Sequence, residues 1–226
     1  MTGTNTKVRA VFLAALMVLS VFAGTIAFAG GAAAANLSGP PDYEGNAVHY
    51  DKAGNAPTGP VIEVPFSEDI KQSTVDNSTM TLLDDGDEVY EDYVTGFTFD
   101  SGTVYIELNQ VVASNDLEVE LSSNIQDTDD ENLTNPGTKS VVFASQTLKF
   151  NENTPSAPNN ASAYQGSTVA VQTAGKNVDV TVVGEDNNYF SEGSTGVNSS
   201  VYTFNTANRD IGEYKVYIDG NDQTNY

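Results

Sequence analysis

Residues 103–121 read TVYIELNQVVASNDLEVEL. Val104, Ile106 and Leu108 fall on one side of an extended chain, and Leu117, Val119 and Leu121 on one side of a second. Alternation with a period of two is the mark of a half-buried strand. Ser114-Asn115-Asp116 supplies turn chemistry between the two. The pattern recurs on both sides of this stretch. Pro60–Phe66 places Ile62, Val64 and Phe66 in phase, and Thr79–Leu83, Val94–Phe99 and Ser140–Phe150 are further strand candidates. Turns are expected at Asp84-Asp85-Gly86, Asp100-Ser101-Gly102 and Asn135-Pro136-Gly137. Short strands at regular spacing, with almost no helical period, predict an all-β chain of antiparallel β-sandwiches. Glu63, Glu107, Glu118 and Glu120 lie out of phase with the apolar set and are expected on the wet face.

Residues 151–163, NENTPSAPNNASA, form a polar, proline-containing break. After it, Thr168–Val171, Asn177–Val183, Ser200–Phe204 and Glu213–Ile218 alternate again. The expected organisation is therefore a signal peptide over 1–35, a first sandwich over 36–152, a linker over 153–163 and a second sandwich over 164–226. Four strands make a thin sandwich. The second module is thus expected to be truncated or to need a neighbour over its open edge.

The first 35 residues hold Lys7 and Arg9 and no acid. An apolar run from Ala10 to Gly30 follows the basic start and ends in GGAAAAN. That layout predicts export with cleavage near Ala34 or Ala35. The remaining residues carry all 31 Asp and Glu against 9 − 2 = 7 Lys and Arg. This balance excludes phosphate-backbone partners and hence nucleic acid. At molar salt the screening length is about 3 Å, so self-repulsion fades and such a chain can stay compact. The chain has no cysteine, and packing or bound ions must stabilise it.

Catalytic motifs are missing. No G-x-S-x-G, H-E-x-x-H, P-loop or dinucleotide fingerprint occurs, and the single histidine, His49, is expected as a solvated loop residue. The chain reads as a non-enzyme. Asn-x-Ser/Thr acceptors occur at Asn36, Asn77, Asn132, Asn160 and Asn198, each beside a turn or in the break. Two acidic runs, Asp84–Glu88 and Asp127–Glu131, offer hard-cation ligands. The second presents Asp127, Asp129 and Glu131 at alternate positions without the EF-hand spacing, and an ordinary solvated acidic loop is the simpler reading. Ca²⁺ or Mg²⁺ are the candidate structural or bridging cations.

The leader KVRAVFLAALMVLSVFAGTIAF followed by GGAAAAN resembles that of haloarchaeal surface-layer glycoproteins. VIEVPFSEDI, NSTMTLLDDGDE, GTVYIELNQ and LEVELSSNIQDTDDENLTN together resemble an Ig-like repeat of surface-layer proteins. In that repeat the last turn runs Asp-x-x-Gly-Asn-x-Leu; here Asp127 and Leu133 are kept, and Asp130 and Glu131 stand where Gly and Asn would be. Tyr164-Gln165-Gly166, Val201–Thr206 and Gly212-Glu213-Tyr214 resemble a β domain of the same surface glycoproteins. The resemblance implies a structural, N-glycosylated cell-surface protein of an extreme halophile, with other surface-layer subunits or further copies of itself as partners. The Thr-rich stalk and apolar tail of that family are not found in this sequence. The alternative is an exported adhesin or a sugar- or ion-binding Ig-like module. An exported hydrolase is a third reading without motif support.

Overall fold

The computed structural model describes residues 39–54, 56–150, 162–184, 190–219 and 221–222. The leader with its cleavage site, Asn36, Asn160 and nearly all of the expected linker lie outside these residues. The described chain is all β, with largely antiparallel sheets stacked as sandwiches. Its strands are β1 (Ala47–Lys52), β2 (Gly59–Pro65), β3 (Met80–Asp84), β4 (Asp87–Glu88), β5 (Val94–Asp100), β6 (Thr103–Leu108), β7 (Leu117–Leu121) and β8 (Gly137–Phe143). They continue with β9 (Gln146–Lys149), β10 (Thr168–Gln172), β11 (Asp179–Gly184), β12 (Phe190–Ser194), β13 (Val201–Asn205), β14 (Tyr214–Ile218) and β15 (Asn221–Asp222). No helix among the described residues is long and apolar enough to cross a membrane.

The first eight strands hydrogen-bond in the order β4-β3-β7-β8-β1-β2-β6-β5. β8 serves two neighbours. Its first half pairs antiparallel with β7, and Val141–Phe143 pair parallel with Ala47–His49. The sheet thereby folds over on itself. Ile62, Val64, Phe66, Val104 and Ile106 face Met80, Leu82, Leu117, Val119 and Leu121 in one core. Phe97 and Phe99 of β5, partly buried, pack against it.

The outer face of β1, β2 and β6 is dry as well. Val48, Tyr50, Val61 and Tyr105 form a second core with Ala144, Ala170 and Val201. The covering layer is the three-stranded sheet β13-β10-β9. A third core, with Val171, Val180, Val182 and Val216, lies between that layer and the sheet β12-β11-β14-β15. Residues 40–226 thus cluster as one compact unit.

Three sequence expectations change here. The segment 140–150 is two strands, broken at Ala144 and Ser145, and β9 leaves β8 to run parallel to β10. Glu63 is 1% exposed, because β10 and β13 cover the face that alternation alone left wet. His49 is also 1% exposed and sits in β1. Its Nδ1 donates to the Val61 carbonyl at 2.9 Å, and its Nε2 accepts from the Val112 N–H at 3.0 Å. Both ring nitrogens are committed with the imidazole neutral, since a charged ring would have no acceptor for Val112. Burial accordingly lowers the His49 pKa below the ordinary 6.5, partly offset by the Val61 bond.

A lowered folded-state pKa means that the stability His49 contributes is fully present above pH 6.5. It declines as the pH falls below 6.5 toward the folded value. Denaturation at constant molar salt should show stability declining as the pH falls below 6.5, and the one imidazole NMR signal of the native chain should titrate below 6.5. A native titration at or above 6.5 would contradict the placement.

Candidate functional site

The most heavily built polar site is the seam where β10, β13 and their loops lie on β1, β2 and β6. At its centre the Glu63 carboxylate accepts from the Tyr50 hydroxyl at 2.6 Å, the Ser200 N–H at 2.9 Å and the Ser200 hydroxyl at 3.0 Å. Burying a carboxylate is costly unless its oxygens are filled, and here both are. Lys52 lies 3.3 Å from the centroid of the Tyr105 ring, a cation–π contact. Burial lowers the Lys52 pKa, and the fields of Glu63 and Asp100 oppose that shift.

Lys176 reaches across from the turn between β10 and β11. Its ammonium donates to the Asp100 carbonyl at 2.5 Å, the Ser101 carbonyl at 2.7 Å and the Thr103 hydroxyl at 2.7 Å. Three donors meet three acceptors, so the group is saturated. Gln172 pairs both its amide atoms with the backbone of Ala53, at 2.8 and 2.6 Å, as a strand would. Lys149 meets Asp51 at 2.8 Å. Six lysines follow the leader, and three of them, Lys52, Lys149 and Lys176, are placed at this seam. Among the described residues no buried side-chain nitrogen or oxygen lacks a partner.

The loop 125–137 is a second site. Asp127 is 2% exposed, and its Oδ1 accepts from the N–H groups of Asp129 and Glu131, both at 2.9 Å. The carboxylate caps its own turn, in the manner of an Asx turn. Asp127 also bridges to Ile70, which ties the loop to the segment after β2. Asp130 has φ +68°, the left-handed conformation that glycine supplies at this place in the resembled repeat. Its side chain pairs with Lys71. Asp129 and Glu131 share the turn with Asp127. No group of three or more Asp, Glu or His side chains able to hold a metal ion is found among the described residues. In the other acidic run, Asp84 accepts from the Ser114 hydroxyl at 2.5 Å.

The acceptors fall into two kinds. Asn77 lies exposed in the turn before β3, and Asn132 lies exposed beside the capped loop. Asn77 Nδ2 makes a long 3.5 Å contact to Glu91, and Asn132 engages Gln126 through Oδ1 at 2.9 Å, not through the nitrogen. Asn198 is half-buried at the seam, where its Nδ2 donates to the Phe66 carbonyl.

A cleft of about 190 Å³ beside β1 is lined by His49, Asp51, Val111, Phe143 and Thr147 among others. Ligand pockets usually enclose about 300–1,000 Å³. Both nitrogens of His49 are committed to backbone, and Asp51 is paired with Lys149.

Among curated proteins, cell surface glycoprotein 1 of Haloarcula hispanica is 34% identical over 100% of this chain and 24% of its own length. Cell surface glycoprotein 2 of the same organism is 34% identical over 97% of this chain and 23% of its own. A cell surface glycoprotein of Haloferax gibbonsii is 29% identical over 96% of this chain and 34% of its own. The chain is a homologue of haloarchaeal cell surface glycoproteins. It spans about a quarter of the length of the two Haloarcula relatives. These names support the exported, cell-surface location expected from the leader. No family model matches the chain. A pullulanase structure from Group B Streptococcus aligns over 80% of this chain and 21% of its own at 10% identity, but its TM-score of 0.26 carries no argument.

Sequence reasoning selected the acidic loop and the acceptors. It missed Glu63, Ser200, Gln172 and Lys176. The available signal was the scarcity of lysine: in so acidic a chain each cation is a candidate for a specific partner. For the loop, Asp127→Ala should destabilise by about 1–2 kcal/mol through the lost cap, and Asp127→Asn, which keeps the acceptor oxygen, should cost less than about 0.5 kcal/mol. Denaturation at fixed salt measures both. Equal losses for the two would show that charge, and not the cap, holds the turn.

Proposed function

We propose that this chain is a non-catalytic structural element of the surface layer of an extreme halophile. The carrying observation is its alignment, over nearly its whole length, with haloarchaeal cell surface glycoproteins. The physical properties of the body support the reading. Stacked sheets with three cores give a stiff element, and every described buried polar side chain is satisfied. The excess carboxylates hydrate the outside in brine. Ca²⁺ or Mg²⁺ bridges carboxylates of neighbouring subunits, either other surface-layer proteins or further copies of this chain. N-linked glycans shield the exposed turns. Binding partners are thus met through a hydrated surface and not through a pocket.

Immunolabelling of intact cells of the native organism tests this reading. The chain should be labelled without lysis, and EDTA in otherwise unchanged brine should release it from the envelope together with other surface proteins. Labelling that requires lysis, or full retention after chelation of divalent ions, would overturn the corresponding part of the proposal.

A further inference from the structure

The sequon Asn198-Ser199-Ser200 differs from the two exposed ones in what its functional groups do. Its amide nitrogen donates to the Phe66 carbonyl, and its carbonyl accepts from the Thr103 hydroxyl. Its hydroxyl residue, Ser200, is 9% exposed and spends both its N–H and its Oγ on Glu63. Both groups that define an acceptor, the asparagine nitrogen and the hydroxyl two residues on, are thereby consumed by the seam. The fit is close. Gly102, at φ +75°, faces the Asn198 amide so tightly that a Cβ there would lie 2.8 Å from Cγ and Nδ2 of Asn198.

Glycan transfer from a lipid-phosphate-linked sugar donor forms an Nδ2–C1 bond and breaks the C1–O bond. The donor's phosphate leaves with the electron pair, and one Nδ2 proton is released. A sugar ring on Asn198 would have to occupy space now filled by Phe66 and Gly102. On Asn77 or Asn132 it would extend from an exposed residue.

We propose that closure of the seam and glycosylation of Asn198 are mutually exclusive, so that among the three sequons of the described residues the folded chain carries glycan at Asn77, Asn132 or both, and Asn198 serves as a latch. The proposal rests on the glycoprotein reading above for its donor. The order of events follows: once β10 and β13 dock on β1, β2 and β6, Asn198 is withdrawn from the transferase. A glycan added earlier would keep the seam open.

Peptide-level mass spectrometry of the full chain made in a glycosylating, extremely halophilic archaeal host tests this. The wild type should carry glycan at Asn77 or Asn132 and none at Asn198. Lys176→Met and Gly102→Ala, which loosen the seam from two sides, should raise the Asn198 glycopeptide at least tenfold above the detection limit and leave the other two sites within about twofold. Occupancy of Asn198 in the folded wild type comparable to that of Asn77 would overturn the proposal, as would an unmodified Asn198 in both variants. If no sequon is modified, the glycoprotein reading fails on its own, and the latch is decided by melting temperature. Asn198→Ala should lower Tm by about 3–6 °C against about 1 °C or less for Asn77→Ala and Asn132→Ala. Three equal small shifts would overturn it.

Discussion

The buried Glu63 carboxylate links the two layers that meet at the seam. A buried carboxylate must be supplied with donors, and the donors come from both sides of the seam: Tyr50 from β1 and Ser200 from the residue just before β13. Removal of one partner with the other still buried would cost about 1–3 kcal/mol for each unsatisfied group. Around this centre the chain has gathered Lys52 and Lys176, two of its few cations. The result is a joint whose attraction is internal and weakly screened. The outer carboxylates repel one another and depend on salt to be screened. Two kinds of electrostatics therefore coexist in one acidic protein, with opposite responses to dilution.

Much of the fold was legible in the sequence because alternation reports burial on one face. β6 and β7 lie where the pattern of residues 103–121 put them. β1 was not recognised because Ala47, Val48, His49 and Tyr50 are all buried, and a strand covered on both faces has no alternation to show. Glu63 was misplaced for the same reason. Period two gives the face, but nothing in one strand tells whether a second sheet covers that face. β12 carries Ser191, Glu192, Gly193 and Ser194, a composition that looks like a loop, and is a strand because β11 pairs with it along its length.

The loop 125–137 shows how a resemblance and local chemistry converge. The resembled repeat has glycine where this chain has Asp130, and the backbone there still takes a positive φ. Asp127 makes that turn possible from within, through its own carboxylate. The acidic run is a turn with one buried acid, Asp127, and exposed acids beside it. The homology to haloarchaeal cell surface glycoproteins fits such a surface.

If the seam joins the sheets of residues 40–226, they unfold as one cooperative body. Differential scanning calorimetry of the wild type and Glu63→Ala in molar salt tests it most directly. One transition is expected for the wild type, with calorimetric and van't Hoff enthalpies in agreement, and its separation into two on removal of Glu63. Two independent transitions in the wild type, with neither moved by Glu63→Ala, would contradict it.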